Sequence, residues 1–299
     1  MTNEVIRSAY VNANGIKTHY VHAGEGEPVI LVHGGGPGAS GKHNWGNNIA
    51  ALAKHFSVYA IDLIGYGYTD KPAIEYTYQA KVNHVAAFID ALCLDGVRLS
   101  GNSMGCYVVT RYMLEHPTRV KKLFMVATAT VASAMNVGDI SSQGGTVRWR
   151  VGEVVTAQNM RDWLSMLLHN KENIREDLVQ ERVRLGNLPG AAEAQASYRA
   201  HMQLVKTDPN QRQWYDISTR LPMVTIPMEL VWGKNDQFAP IELGYRIKDK
   251  LPNLQAFHVV EGAGHQVQND QPEKFNQLIT KFVLNSLSVG RMTKTMNSA

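Results

Sequence analysis

Cysteine is scarce in this sequence of 299 residues, which contains only Cys93 and Cys106. Two thiols cannot form the disulfide framework of a small secreted domain, and they are more typical of a protein core in a reducing compartment. Residues 1–8 include Glu4 and Arg7 and lack the apolar run of a secretory signal. No apolar stretch reaches the length needed to span a bilayer. We therefore expect a cytoplasmic protein that does not associate with membranes.

The sequence also lacks a strong charge of either sign. Its formal net charge is +4, and it has no basic block interleaved with aromatic residues of the kind that nucleic-acid-binding proteins carry. His and acidic residues do not recur at metal-ligand spacing, and neither GxGxxG nor a P-loop is present. We therefore expect no nucleic-acid partner, no metal and no cofactor. Hydrophobic residues make up 44% of the chain, which is enough for a large core.

Short apolar runs alternate with longer amphipathic stretches along the chain. This alternation is typical of an α/β fold, in which helices cover a mostly parallel sheet. Asn14-Gly15 separates the first two apolar runs and predicts a hairpin. The predicted strands cover residues 9–11, 18–21, 29–32, 58–61, 97–100, 123–126, 229–232 and 256–260.

The gap between the strands at 123–126 and 229–232 is much longer than one crossover connection requires. It contains helical patterns at 161–169 and 176–185 and no convincing strand, which predicts an inserted helical lid. We expect residues 1–130 and 222–290 to form the core, residues 131–221 the lid, and residues 291–299 a disordered tail. In the last helix, Pro272 is expected in the first turn and Asp270 at the N-cap.

The run Gly101-Asn102-Ser103-Met104-Gly105 follows an apolar strand and precedes a helical pattern. GxSxG in this setting predicts a nucleophile elbow, a sharp turn that presents a serine hydroxyl to a neighbouring histidine. Glycines on both sides relieve the crowding that such a turn creates. We therefore expect Ser103 to be a catalytic nucleophile.

A serine nucleophile needs a base and an acid that orients the base. His265 follows the last predicted strand in a glycine-containing loop, and it is the predicted base. Asp236 follows the strand at 229–232 and is the predicted acid, because Ser, Asp and His then occur in the chain order typical of this arrangement. Glu261, which is nearer to His265 in sequence, is the alternative.

Backbone N–H groups can stabilise the oxyanion that forms when a serine attacks a carbonyl. The run His33-Gly34-Gly35-Gly36-Pro37-Gly38 follows the first parallel strand and can provide such groups. The predicted donors are the N–H groups of Gly35 and Met104, the second being the residue after the nucleophile.

Arg182 falls within the apolar face of the helical pattern at 176–185. A buried arginine is costly without a partner, so it either pairs with an acidic side chain or binds an anionic ligand. Its planar guanidinium suits a carboxylate, since it can bind both oxygens. The spacing alone leaves these two interpretations open.

Taken together, three motifs make the sequence resemble the α/β-hydrolase superfamily and, within it, the meta-cleavage product hydrolases. The motifs are HGGGPGA at 33–39, GNSMG at 101–105 and WGKNDQF at 232–238. The resemblance implies an eight-stranded sheet with helices on both faces and an inserted lid. It also implies a cofactor-independent enzyme, a homodimer or higher homo-oligomer, that cleaves a carbon–carbon bond. The implied substrate is an anionic 2-hydroxy-6-oxohexa-2,4-dienoate, a ring-cleavage product of aromatic degradation.

The resemblance also assigns residues to the substrate site. Asn44, Asn102 and Arg182 are expected to bind the dienoate end, which favours the ligand-binding interpretation of Arg182. Phe238 is expected to line the pocket. Gly34, Gly36 and Gln266 complete the expected substrate-binding set.

The chain departs from the family pattern directly after His265. Members usually carry Trp there, whereas this chain has Gln266, which offers less apolar area and both a donor and an acceptor. An ester or lactone hydrolase with the same triad is therefore the alternative function, and a small-molecule receptor on the same fold is a more remote one. The group on C6 of the substrate depends on the packing of lid residues such as Trp149 and Trp163, which the sequence does not define.

Overall fold

One sheet organises the part of the chain that is described, residues 5–138 and 154–285 of a computed structural model. Each strand predicted from the apolar runs is present, most of them extended by a few residues. The strands are β1 (Arg7–Ala13), β2 (Ile16–Ala23), β3 (Pro28–Val32), β4 (Ser57–Ile61), β5 (Val97–Asn102), β6 (Val120–Val126), β7 (Met228–Gly233) and β8 (Leu254–Val260).

The strand order is β1-β2-β4-β3-β5-β6-β7-β8. β1 pairs with β2 in an antiparallel hairpin whose turn residues Asn14 and Gly15 both have positive φ, 51° and 86°, as the Asn-Gly signal predicts. β2 is antiparallel to β4, and every pairing from β4 through β3, β5, β6 and β7 to β8 is parallel. The carboxyl ends of the parallel strands therefore lie along one edge, where α/β proteins place their sites.

Helices cover both faces of the sheet. They are α1 (Gly41–Leu52), α2 (Tyr78–Ala91), α3 (Met104–Glu115), α4 (Ala129–Ala134), α5 (Ala157–Leu167), α6 (Glu176–Gly186), α7 (Ala191–Thr207), α8 (Pro209–Tyr215), α9 (Glu242–Lys250), α10 (Val267–Asp270) and α11 (Pro272–Leu284). In one group of helices, α1 packs against α10 and α11; in another, α2 packs against α3. Among the described residues, no helix combines the length and apolar character needed to cross a membrane.

The core is formed by the central strands and the aromatic side chains of the covering helices. Ile30, Leu31 and Val32 of β3 are fully buried, as expected for a parallel strand covered on both faces. Phe275 of α11 packs against Trp45 of α1 and Phe124 of β6, with ring centroids 5.8 Å and 5.7 Å away. This packing fixes the strand ends from which the site loops emerge.

The insertion between β6 and β7 is helical where the structure describes it. α6 matches the predicted pattern at 176–185, whereas α5 begins and ends earlier than the predicted 161–169. The earlier start comes from a capping box of Thr156 and Asn159, polar residues that an apolar pattern does not reveal. Trp149 and the predicted tail at 291–299 lie outside the described residues.

The prediction that Asp270 caps the last helix is wrong. Pro272 does occupy the first turn of α11, but Asp270 ends the preceding short helix α10, and Gln271 stands at the N-cap without a side-chain bond. The carboxylate of Asp270 instead accepts hydrogen bonds from Gly264 and from His169 and Asn170, two residues that follow α5 in the insertion. It is therefore a tertiary contact and not a helix cap.

Candidate active site

Ser103 lies at the sharp turn between β5 and α3. Its backbone has φ 53° and ψ −118°, a conformation that residues other than glycine rarely adopt and that strains the chain. The flanking glycines are required by close backbone approach: a Cβ on Gly101 would lie 2.6 Å from the backbone of Cys106, and one on Gly105 would lie 2.4 Å from the carbonyl oxygen of Val32. This is the geometry of a nucleophile elbow.

Asp236 and His265 meet at the ends of β7 and β8. The Nδ1 of His265 lies 2.8 Å from Oδ2 of Asp236, and both side chains are buried. The Oδ1 of Asp236 accepts the N–H groups of Phe238 and Ala239 at 2.9 and 2.8 Å, which fixes the carboxylate. The alternative acid, Glu261, is exposed and forms an ion pair with Lys234 instead.

The second ring nitrogen of His265 is left free for chemistry. Its Nε2 is buried and has no hydrogen-bond partner among the described residues, Ser103 included. The ring of Phe238 packs against the imidazole, with centroids 4.7 Å apart. A base whose orientation is fixed through Nδ1 and whose Nε2 is unpartnered can accept a proton from a serine hydroxyl or from substrate.

The glycine run lies beside the nucleophile. A Cβ on Gly34 would lie 3.4 Å from Cβ of Ser103, and one on Gly35 would lie 3.8 Å from Cβ of Met104. Neither the N–H of Gly35 nor that of Met104 has a partner within the described part of the chain. These two donors, predicted from the sequence, therefore remain available beside Ser103.

His33 holds the first turn of this run, a role that the sequence analysis did not assign. Its Nε2 accepts the N–H of Leu63 at 3.0 Å, so its Nδ1 carries the proton and donates to the carbonyl oxygen of Gly34 at 2.7 Å. Burial lowers the pKa of His33, which keeps the ring neutral. A neutral imidazole with both nitrogens bonded fixes the loop without adding charge to the site.

Asn44 and Asn102 lie next to the elbow in one hydrogen-bonded group. The Nδ2 of Asn102 donates to the carbonyl oxygens of Val126 and His265 at 3.3 and 3.1 Å, while its Oδ1 accepts from Nδ2 of Asn44 at 3.2 Å. The Oδ1 of Asn44 is buried and has no partner among the described residues. An orphaned buried acceptor next to the nucleophile is suited to a substrate donor.

Arg182 is buried, with only 3% of its surface exposed, and its guanidinium contacts the glycine run. Its Nε and Nη2 donate to the carbonyl oxygen of Pro37 at 3.3 and 2.9 Å. Burial lowers the pKa of this side chain to about 10, so it remains charged at neutral pH. No carboxylate of the described residues forms an ion pair with it, which favours the ligand-binding interpretation.

Gln266 is buried in a polar network. Its Oε1 accepts from Nδ2 of Asn269 at 2.8 Å, and Asn269 also bonds to the carbonyl oxygen of His43 and to Nδ2 of Asn47. Asn269, His43 and Asn47 line a cavity of about 420 Å³ between α1 and α6. The amide of Gln266, directly after His265, is therefore held by Asn269 at the edge of a polar space.

Trp163 of α5 covers the glycine run, although the sequence analysis named it only as an unassigned lid residue. A Cβ on Gly36 would lie 2.7 Å from the indole ring, so the two are in direct contact. The Trp163 and Phe238 rings meet edge to face, with centroids 5.6 Å apart. No sequence signal linked Trp163 to the glycine run, because the contact joins positions far apart in the chain.

Comparison with known proteins agrees with this geometry. A family model described as the alpha/beta hydrolase fold matches residues 27–272. The chain is 30% identical to 2-hydroxy-6-oxo-6-(2'-aminophenyl)hexa-2,4-dienoic acid hydrolase of Metapseudomonas resinovorans, over 94% of this chain and 92% of that protein. It is 31% identical to 2-hydroxy-6-oxo-2,4-heptadienoate hydrolase of Pseudomonas putida, over 91% of this chain and 95% of that protein.

The chain belongs to the α/β-hydrolase family, and within it to the meta-cleavage product hydrolases. The solved meta-cleavage product hydrolase of Pseudomonas fluorescens has a similar structure, with a TM-score of 0.77 and 28% sequence identity. The match covers 92% of this chain and 97% of that one. In this α/β hydrolase, as the sequence motifs predicted, the glycine run, the elbow and the loops after β7 and β8 meet at the carboxyl edge of the sheet.

Proposed function

We propose that this protein is a serine hydrolase that cleaves a carbon–carbon bond of a 2-hydroxy-6-oxohexa-2,4-dienoate. The products are 2-hydroxypenta-2,4-dienoate and a carboxylic acid. The observation that carries the proposal is the buried Arg182, which has no acidic partner among the described residues and contacts the glycine run beside Ser103. A fixed positive charge on the loop that borders an elbow serine suits an anionic substrate that also carries an electrophilic carbonyl.

The proposed catalytic residues are Ser103, His265 and Asp236. In the first stage the bound dienol becomes a ketone: the C2 hydroxyl loses its proton and C5 gains one, with His265 transferring the proton. The C3–C4 double bond is then conjugated with the C2 carbonyl. This carbonyl can accept the electron pair that is released when the C5–C6 bond breaks.

In the second stage His265 takes the proton of Ser103, whose Oγ attacks the C6 carbonyl. The N–H groups of Gly35 and Met104 donate to the resulting oxyanion. The C5–C6 bond then breaks and its electron pair moves to the C2 oxygen. The protonated His265 gives this oxygen the proton taken from Ser103, and the dienol product leaves. Water, deprotonated by His265, hydrolyses the acyl group from Ser103. Asp236 orients the imidazole and stabilises its protonated form.

The remaining residues of the proposal hold the substrate. Arg182 binds the C1 carboxylate, and the orphaned Oδ1 of Asn44 accepts a hydrogen bond from the C2 hydroxyl of the dienol. Asn102 positions Asn44 through their mutual bond. Gly34 and Gly36 border the substrate through the backbone of the glycine run, Phe238 lines the pocket beside His265, and Gln266 borders the dienoate end.

A spectrophotometric screen tests the proposal. Ring-cleavage products that differ at C6, from hydrogen and methyl to phenyl and substituted phenyl, lose their yellow colour when they are hydrolysed. We expect the purified protein to bleach at least one of them at a rate within the usual enzyme range of roughly 1–10³ s⁻¹. If none is bleached while aryl esters are cleaved, the proposed reaction is wrong.

Gln266 favours a second candidate function, hydrolysis of an ester or lactone with the same triad. The bond from Asn269 keeps its amide in a polar network, where family members usually have an indole. Gln266→Ala separates the two candidates when one protein preparation is assayed on both substrate types. If the amide borders a dienoate, kcat/KM falls for the dienoate and stays within about threefold for an aryl ester of comparable size; the ester candidate predicts the reverse.

Further parts of the proposal follow from the family resemblance. The protein is proposed to act in the cytoplasm as a homodimer or higher homo-oligomer. Residues 1–130 and 222–290 are proposed to form the hydrolase core, and residues 131–221 the lid. Light scattering coupled to gel filtration tests the oligomeric state, and a monomer at micromolar concentration would contradict it.

A further inference from the structure

Asp270 is a buried acid that the proposed mechanism does not use. It lies at the end of α10 and is only 6% exposed. Its Oδ2 accepts the N–H groups of Gly264 and His169 at 2.8 and 2.9 Å, and its Oδ1 accepts the N–H of Asn170 at 3.0 Å. Three N–H donors can stabilise a buried carboxylate that forms no ion pair with the described residues.

The three donors belong to two separate parts of the chain. Gly264 precedes His265 in the loop after β8, whereas His169 and Asn170 follow helix α5 of the insertion. The same two segments meet a second time: the carbonyl oxygen of Leu167 accepts the N–H groups of His265 and Gln266 at 2.8 and 3.3 Å. Four hydrogen bonds therefore join the end of α5 to the segment that carries the histidine, and the bond from Gly264 to Asp270 closes that segment on itself.

This junction is packed backbone against backbone. A Cβ on Gly264 would lie 2.8 Å from the carbonyl oxygen of Leu167 and 2.9 Å from the nitrogen of His169, so no side chain fits between the segments. A shift of α5 must therefore move the His265 loop or break these bonds, because interiors packed this closely transmit displacement.

Helix α5 also contacts the other half of the site. Trp163, one turn before the junction, lies directly on Gly36 of the glycine run and packs edge to face on Phe238. Phe238 in turn packs on the ring of His265. Helix α5 therefore contacts the His265 loop through its last residue, Leu167, and the glycine run through Trp163.

We propose that Asp270 is a positioning residue. It fixes α5 on the His265 loop and so holds His265 and the glycine run in a fixed position relative to each other. The proposal rests on the proposed role of His265 as the base and not on the identity of the substrate. Small displacements of reacting groups are expensive, since a shift of about 1 Å can cost about 10²-fold in rate. The effect is therefore expected in kcat.

The test uses Asp270→Asn, with Asp249→Asn on the exposed face of α9 as the matched control. The asparagine keeps the size of the side chain but points an NH₂ group at one of the three N–H donors. We expect kcat for hydrolysis of p-nitrophenyl acetate to fall about 10- to 100-fold, with KM within about threefold. Hydrogen exchange at His169, Asn170 and Gly264 should become faster, while the control variant matches the wild type in both measurements.

Gly264→Ala disturbs the same junction from its backbone side, because the added Cβ would lie 2.8 Å from the carbonyl oxygen of Leu167, 2.9 Å from the nitrogen of His169 and 3.3 Å from Oδ2 of Asp270. The effects of the two substitutions on kcat should be less than multiplicative in the double variant, since both break one junction. A folded Asp270→Asn protein with wild-type kcat would overturn the proposal, as would effects on kcat that multiply fully.

The ester assay keeps this proposal separate from the proposed function. If the wild type cleaves the ester through Ser103 but bleaches no ring-cleavage product, the proposed substrate is wrong and the role of Asp270 is still measured. If dienoates are bleached and Asp270→Asn retains its kcat on both substrates, the proposed function stands and the positioning role is wrong.

Discussion

Two hydrogen bonds join the guanidinium of Arg182 to the carbonyl oxygen of Pro37, from Nε at 3.3 Å and from Nη2 at 2.9 Å. Pro37 belongs to the glycine run that lies beside Ser103, so the buried charge of α6 contacts the loop that borders the nucleophile. The backbone of α6 approaches this loop closely, since a Cβ on Gly38 would lie 2.0 Å from the carbonyl oxygen of Arg182.

Arg182→Gln should weaken dienoate binding selectively. A hydrogen-bonded charge pair contributes about 1.5–3 kcal/mol, which corresponds to about 10- to 100-fold in Kd. We expect that increase for the dienoate and little change in KM for a neutral ester. Arg184→Gln on the same helix is the control, because Arg184 is half exposed and pairs with Glu181. An equal loss on both substrates would show that Arg182 only supports the fold.

Ser103→Ala should remove turnover while the protein still folds and binds the dienoate. Loss of a triad residue costs on the order of 10⁴- to 10⁶-fold in kcat. Absorbance spectra of the bound chromophore measure binding, and stopped-flow bleaching measures turnover. Full activity in this variant would contradict the proposed mechanism.

A second Ser–His–Asp group supplies the matched control for Ser103. The Oγ of Ser8 lies 2.8 Å from Nε2 of His19, whose Nδ1 lies 2.7 Å from Oδ2 of Asp62. This group lies on β1, β2 and the end of β4, and Ser8 sits in a regular strand and not at an elbow. Ser8→Ala should therefore retain wild-type kcat. A loss of kcat similar to that of Ser103→Ala would show that Ser8 takes part in catalysis and would contradict the assignment of the chemistry to the Ser103 group.

Replacement of Gly36 and of Gly46 with alanine should change the free energy of unfolding in opposite directions. Gly36 has φ +105° and a Cβ there would lie 2.7 Å from Trp163, so Gly36→Ala should lower the free energy of unfolding by about 1–3 kcal/mol and reduce kcat. Gly46 lies within α1 with no atom close to its Cβ position, so Gly46→Ala should raise that free energy by about 0.4–1 kcal/mol. Urea unfolding measures both, and destabilisation by Gly46→Ala would contradict the packing described for α1.

Stability should fall in mild acid because of buried neutral histidines. Burial, with a smaller effect from His33, lowers the pKa of His84 to about 3, and burial lowers those of His43 and His201 to about 4. Unfolded histidine titrates near 6.5, so below that pH the unfolded chain binds protons that the folded protein does not. The free energy of unfolding therefore decreases as the pH falls from about 6.5 toward 4, by up to about 1.4 kcal/mol per pH unit for each group.

His84→Gln tests this dependence. A glutamine can still bond to the hydroxyl of Thr18 or the N–H of Ile64, the two partners of His84, but it does not titrate. Urea unfolding between about pH 4.5 and 6.5 should show a slope that is shallower by about 1.4 kcal/mol per pH unit. His55→Gln at an exposed position is the control, and an unchanged slope in His84→Gln would show that this histidine does not contribute.

Local signals in the sequence predicted much of the fold. Each predicted strand is a short apolar run. These runs are largely buried in the inner strands, whereas the edge strands β1 and β8 are mostly half-buried or exposed. The elbow was predictable because its glycines are required by close contacts with residues a few positions away and with the adjacent strand. The start of α5 was missed because Thr156 and Asn159 act through their side-chain bonds and do not extend the apolar pattern.

Asp270 shows where local reasoning fails. An acid two residues before Pro272 fits the start of a helix, and that interpretation needs only neighbouring residues. The actual partners include His169 and Asn170, which lie about a hundred positions away and reach Asp270 only when the insertion folds over the sheet. No spacing rule connects such positions.

The sequence by itself determined the chemistry available to this protein: a serine on an elbow, a histidine and an aspartate after strands, and a glycine run. It did so because each is tied to a strand end by its neighbours. Only the tertiary structure decided that Asp236 and not Glu261 meets His265, that Arg182 has no acidic partner among the described residues, and that α5 rests on both loops. Those outcomes depend on which segments pack together in space, and packing between distant segments leaves no periodic trace along the chain.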